Sequence, residues 1–341
     1  MSVERVIIVT GSKGGGGKTP VALALSLLFE EFGVKTLSAD FNFNNADLFS
    51  ILQGSEVEER VKTDDLQLKE VADGQFWKLN DYLWLTPWNF VVKTGMPSTT
   101  QMWQEIAKLC RFRYIDYEPK VLVIDTNLTL PLICPPLTDV ANLPDLPPVE
   151  VWHMWSPSIT LQIGEQDRFA SAITILNRLS PGFEERLHHV FSPRHYKTNS
   201  FMNTLSSITK GEFSVVKMKK FKQKNPTPVK FNELSDSLFA SFVPKLLSQD
   251  LGDRMDPENL IRDWLKNILE TLKKRDTRAN NVIVIPTIIH KIAMLVEELT
   301  LNPNRTLESM RSELGPLYEL IREHFIRERA DFILRCGGTM P

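Results

Sequence analysis

Cysteine is scarce in this chain of 341 residues: Cys110, Cys134 and Cys336 lie far apart and form no C-x-x-C or C-x-C pair. That spacing excludes a disulfide framework, a zinc knuckle, or a metal cluster ligated within one motif, and leaves buried or incidental reduced thiols. Long apolar runs are missing too, so no segment is expected to span a membrane. The opening "MSVERVIIVTGS" lacks the basic and apolar regions of a secretory signal and leads straight into a strand, which sets the expectation of a cytoplasmic protein. Charge of one sign is not in excess. The formal net charge is -2, so binding to nucleic acid or an acidic surface would have to come from a local patch. There is no internal repeat and no low-complexity tract.

What is present is a rhythm. Short β-branched runs at 5–10, 35–40, 82–87, 120–125, 149–155, 188–192 and 281–286 read as buried strands. Apolar stretches at helical spacing, such as "PVALALSLLFEEFG" and "EQDRFASAITILNRLSPG", lie between most of them. This alternation predicts an α/β fold, a doubly wound and mostly parallel sheet of seven to eight strands within a single domain, 1–341. Gly33 and Gly182 stand where helices need a left-handed cap.

Two regions break the pattern. Residues 54–80, acid-rich at first, read as a helical excursion, and 197–280 as a mostly helical insertion. Helices are expected over 287–341, and the proline-rich stretch 130–150 reads as an irregular loop. All six histidines read as structural, and Trp84, Trp88, Trp152 and Trp155 as core or interface.

The chemistry concentrates in "VTGSKGGGGKT", between the first strand and the first helix. Glycines allow successive backbone N–H groups to turn toward an anion, and the helix points its positive end at the same place. Gly14, Gly15, Gly16 and Gly17 would form that cradle. Lys18 would neutralise the β- and γ-phosphates, Thr19 would ligate Mg²⁺, and Pro20 fits the first helical turn. The strict G-x-x-x-x-G-K-[ST] pattern is missed by one residue, Ser12.

This loop resembles the deviant Walker A sequence K-G-G-x-G-K-[ST] of the ParA/MinD ATPases, a superfamily that includes the arsenite-pump and tail-anchored-protein-targeting enzymes. The resemblance implies that Lys13 is a second, signature lysine, reaching across an ATP-dependent homodimer to the partner's nucleotide. A cation supplied in this way near developing phosphoryl charge makes hydrolysis depend on assembly.

The second strand ends in "LSADFNFNNADLF", similar to the switch I segment of the arsenite-pump branch with Phe41 in place of proline. By that likeness Asp40 orients the attacking water and Asn44 senses the γ-phosphate; Asp47 reads equally as a helix cap. The strand "KVLVIDT" has Walker B character, with Asp125 supporting Mg²⁺. It continues "NLTLPL" where relatives carry proline and glycine, which makes switch II non-standard. The place of the family's adenine-contacting asparagine reads "FSPRHY", so base recognition is not carried over.

The resemblance implies a slow, partner-stimulated ATPase with ATP and Mg²⁺ as cofactors, acting in DNA partition or cargo positioning. A protein activator or cargo adaptor is implied as partner, and Lys217 to Lys224 could hold nonspecific DNA, or simply be a solvated face. The alternatives are a targeting or metallochaperone ATPase of the arsenite-pump type, and a non-hydrolysing ATP-gated scaffold. The C-terminal helix mixes Arg322, Arg327, Arg329 and Arg335 with Glu319, Glu323 and Glu328, which suits packing or dimerisation better than a membrane anchor.

Overall fold

The computed structural model describes residues 3–11, 17–42, 46–53, 59–61, 76–87, 98–155, 166–191, 282–284 and 305–341. Lys13 to Gly16, Asn44, all of 197–280, where a helical insertion with a lysine-rich stretch is expected, and 285–304 lie outside them.

The first strand, β1 (Arg5–Gly11), feeds α1 (Lys18–Glu31), followed by β2 (Thr36–Phe41) and α2 (Asp47–Gln53). Next come β3 (Glu59–Val61), β4 (Phe76–Lys78), β5 (Leu83–Pro87), α3 (Thr99–Leu109) and β6 (Val121–Thr126). A short α4 (Leu130–Ile133) leads to β7 (Val149–Trp155), α5 (Gln166–Leu179), β8 (Leu187–Phe191) and β9 (Val282–Val284). Three helices close the chain: α6 (Leu307–Leu314), α7 (Pro316–Glu328) and α8 (Ala330–Arg335). The sheet order is β3-β4-β5-β2-β6-β1-β7-β8-β9. All seven expected strands are present, and the pairings from β5 through β9 are parallel.

Among the described residues the count rises to nine because β3 and β4 extend one edge by antiparallel pairing. Both fall in 54–80, where the sequence suggested helix. The local signal is a period of two. Phe76 stacks on Phe112 at 4.2 Å on one face, while Trp77 meets Phe49 at 4.8 Å on the other. Opposite-facing neighbours are what a strand provides. The 130–150 stretch also departs from a plain loop, since Pro131 falls in the first turn of α4 and Val140–Asn142 make a 3₁₀ turn. Gly33 and Gly182 are left-handed at φ 70° and 74°, as their positions demanded.

Helices cover both faces. One core gathers Trp103 and Ile106 of α3, Ile133 of α4 and Ile173 of α5 against Val6, Ile8 and Ile124. The other gathers α1, α2 and the C-terminal helices against Ile7, Val9, Val123 and Trp152. Helix α1 is buried from Lys18 to Phe29 because it is enclosed on two sides. Its inner side lies on the sheet, where Ser26 and Ser38 hydroxyls meet at 2.7 Å. Phe29 meets Phe325 of α7 edge-on at 5.2 Å, and Arg322 reaches Glu31 at 3.0 Å. Among the described residues no helix is long and apolar enough to cross a membrane.

A polar cluster is buried on this second face. Glu150 lies 3.0 Å from Arg5, 2.9 Å from His188 and 3.7 Å from Arg329, and accepts the Trp152 indole N–H at 3.0 Å. His324 sits beside it, edge-on to Trp152, with both ring nitrogens buried and unpaired among the described residues. Burial, aided by His188, pushes its pKa down to about 3. The unfolded chain therefore binds this proton first, and stability falls as pH drops from about 6.5 toward 3. His324→Phe should raise the unfolding free energy by roughly 1–2 kcal/mol, because two unpaired polar atoms disappear. It should also flatten the acid limb of urea-unfolding free energies measured across pH. A destabilised variant would contradict this account.

Candidate active site

The site forms at the carboxyl ends of β1, β2 and β6, where open parallel sheets place their ligands. β1 is central, between β6 and β7, so the loop that follows it emerges in the middle of the sheet. Its last residue, Gly11, has no room for a side chain: a Cβ there would lie 2.8 Å from both Cβ and the carbonyl oxygen of Met154. The loop rejoins regular structure at Gly17, left-handed at φ 87°, and α1 begins with no side chain of its N-cap residue bonding to it. Only glycine takes that conformation without strain, so the last of the four glycines has a conformational reason. A helix end without a side-chain cap keeps its first N–H groups for another acceptor.

Lys18 and Thr19 open α1 and are both buried. The Thr19 hydroxyl donates to Asp125 Oδ2 at 2.6 Å, joining the helix to the end of β6 across 106 residues of sequence. Asp125 is in register with Val9 on one side and Asp40 on the other. Parallel strands in register present paired residues on the same face, and here that is the face of α1. Two carboxylates therefore stand beside each other under the first turn of the helix. Both are almost fully buried.

Burial and then Asp125 push the Asp40 carboxyl up to about 8, against two backbone N–H groups that favour its charge. Those groups belong to Asn42 and Phe49, each 2.9 Å from one Asp40 oxygen. Asp40 thus ties the chain leaving β2 to the first turns of α2. Burial raises Asp125 to about 6, while the Thr19 hydroxyl and Lys18 pull it down. Burial lowers the Lys18 pKa, opposed by Asp125. Asp47, first residue of α2, is raised by burial as well. Asp125 is thus the acid that buried Lys18 offsets, while Asp40 is influenced by both Asp125 and Asp47, which leaves the site short of positive charge.

That donor set suits Mg²⁺ bound with a nucleotide. Among the described residues Asp125 Oδ1 has no hydrogen-bond partner, and Thr19 offers a hydroxyl. Among those same residues no cluster of three or more His, Cys, Asp or Glu could cage a metal by itself. Magnesium at phosphate sites does not need such a cage, because substrate phosphates and water complete its shell. The structure thus brings Gly17, Lys18, Thr19, Pro20, Asp40 and Asp125 to one end of the sheet. Lys13, Gly14, Gly15, Gly16 and Asn44 fall outside the described residues. Sequence reasoning missed the loop after β6, which closes against β1: the Leu128 carbonyl accepts the Thr10 hydroxyl at 2.5 Å and the Gly11 N–H at 3.4 Å. Departure from the family pattern was the one sign there.

No protein-family model matches the chain, and no curated protein sequence matches it. Among solved structures it is similar to a protein assigned to plasmid partition from Borrelia burgdorferi B31, bound to AMPPNP. That match has 15% identity over 80% of this chain and 99% of the other, with a TM-score of 0.36. It is also similar to a ParA family ATPase from Chlorobium tepidum TLS, at 14% identity over 77% of this chain and 99% of the other, TM-score 0.37. ParA-family ATPases are thus among the solved proteins that this chain resembles.

Proposed function

We propose that the chain is an ATPase of the ParA/MinD type that binds Mg-ATP at the ends of β1, β2 and β6. The observation that carries the reading is the Thr19–Asp125 hydrogen bond of 2.6 Å beside buried Lys18. It joins the first turn of a helix after a glycine loop to the acid ending a neighbouring apolar strand. In this reading the glycine loop cradles the phosphates and Lys18 neutralises them. Thr19 and Asp125 hold the Mg²⁺, which when bound offsets charge on the phosphoryl oxygens. Asp40 orients water while holding the start of α2, Asn44 senses the γ-phosphate, and Lys13 completes the partner's site in an ATP-dependent homodimer. The 197–280 segment would meet DNA, cargo or an activator, and the switch would serve partition or positioning.

Light scattering with a slowly hydrolysed ATP analogue, paired with phosphate release, tests this. The wild type should dimerise with nucleotide, and Lys13→Ala should bind ATP yet lose about tenfold or more in hydrolysis. Absence of ATP binding, or monomeric hydrolysis indifferent to Lys13→Ala, would sink the reading.

A non-hydrolysing scaffold is the second reading. It is favoured by Asp40, whose two oxygens both already accept backbone N–H groups. Dimerisation intact with phosphate release no faster than in Lys18→Ala would select it.

A further inference from the structure

The loop after β6 reads "DTNLT", residues 125–129, and two contacts fix its course. At its start Asp125 holds Thr19 at the beginning of α1. Three residues on, the Leu128 carbonyl is clamped to Thr10 and Gly11, where β1 gives way to the glycine loop. The Leu128 N–H donates to the Thr126 hydroxyl at 3.1 Å, which tightens the turn between those contacts. Asn127 is thereby held between the first turn of α1 and the departure point of the phosphate loop.

Three oxygens of this five-residue stretch are buried without a hydrogen-bond partner among the described residues: Asp125 Oδ1, Asn127 Oδ1 and Thr129 Oγ1. Thr129 occupies the N-cap position of α4, where a threonine hydroxyl ordinarily accepts a backbone N–H, yet it makes no such bond. It is 7% exposed, so bulk water does not satisfy it. Leaving a buried polar atom unpaired is expensive, and folded proteins rarely keep several together. A carboxylate oxygen, a carboxamide oxygen and a hydroxyl share one property: each accepts. Phosphate oxygens also accept and would not satisfy the first two. The waters of a hydrated divalent cation donate, and Mg²⁺ at nucleotide sites retains several.

We infer that Asn127 and Thr129, together with the second oxygen of Asp125, receive the water shell of the nucleotide's Mg²⁺. They are positioning residues, acting on the cation through its water. This rests on the Mg-ATP reading above. It also accounts for the non-standard sequence after Asp125, where side-chain oxygens take the place of the proline and glycine of the resembling family.

The test measures binding by the full chain of a fluorescent, non-hydrolysable ATP analogue, titrated with Mg²⁺ and repeated in EDTA. Asn127→Ala and Thr129→Val should each raise the Mg²⁺ concentration for half-maximal tightening about fivefold, with affinity in EDTA unchanged. Asn127→Asp should keep or lower that concentration, since a carboxylate accepts from water; an amide donating to phosphate would give the reverse sign. A Mg²⁺ requirement within about twofold of wild type in both truncations overturns the inference alone. So does an equal loss with and without Mg²⁺, because the effect is then not on the cation. A wild type that binds no analogue overturns the Mg-ATP reading and this inference with it.

Discussion

Replacing Lys18 with alanine is expected to lower ATP hydrolysis by about two to three orders of magnitude, the range found when a group placed to stabilise transition-state charge is removed. On the Mg-ATP reading, the structure adds a reason beyond the loss of one phosphate contact. Lys18 interacts with Asp125, whose charge Asp40 feels and which itself feels Asp47, and the carboxyls of all three acids are already raised by burial. Lys18 is among the groups that draw Asp125 back toward its charged form. Without it, the arriving triphosphate meets buried acids with no lysine to offset them. Affinity and turnover should therefore fall together. Arginine should not rescue, because a planar guanidinium does not replace a compact ammonium in a buried site. Phosphate release at saturating Mg-ATP, alongside direct nucleotide binding, checks the claim. Hydrolysis within a few-fold of wild type would remove Lys18 from the centre of the site.

The second large effect is one of stability, far along the sequence from the glycine loop. Glu150→Ala should cost roughly 3–5 kcal/mol of unfolding free energy, because it leaves buried charge without its counterion. Burial alone would raise the Glu150 pKa, but His188, Arg329 and Arg5 outweigh it and hold the carboxyl well below its ordinary range. With the folded pKa depressed, this stabilisation is complete above the unfolded value of about 4.5 and is lost as pH falls below it. Glu150→Gln should lose less, since an amide oxygen still accepts the Trp152 N–H that Glu150 Oε1 accepts at 3.0 Å. Urea unfolding at neutral pH and at pH values below the unfolded pKa measures both. A loss under about 1 kcal/mol for Glu150→Ala would mean the arginines find other partners.

The two effects mark how far the sequence could be read. Lys18, Thr19 and Asp125 were legible because a glycine loop between strand and helix, and an acid ending an apolar strand, each carry a local pattern. The fold then brings positions 106 residues apart to 2.6 Å. The seven parallel strands were legible for the same reason, each being a β-branched run long enough to show. Strands β3 and β4 were not. Three residues hold barely one period of alternation, and the acidic run ahead of them outweighed Phe76 and Trp77.

The Glu150 cluster left no sign at all. Arg5 lies on β1, His188 on β8 and Arg329 at the junction of α7 and α8, and nothing local says that a glutamate in a strand has counterions from all three. Asn127 and Thr129 were visible only as departures from a family pattern. Their unpaired oxygens emerge once Leu128 is seen clamped to β1.

Helix α1 is fixed at both ends. Thr19 is hydrogen-bonded to Asp125 at its start, while at its finish Glu31 bonds to Tyr318 and Arg322, and Glu30 pairs with Arg311. At about 1.5 Å per residue, its 14 residues make a rod of roughly 21 Å with little slack along its length. Such a rod conveys displacement instead of absorbing it. On the Mg-ATP reading, a push at the start of α1 would reach the C-terminal helices, and a load applied to those helices would travel back to the glycine loop.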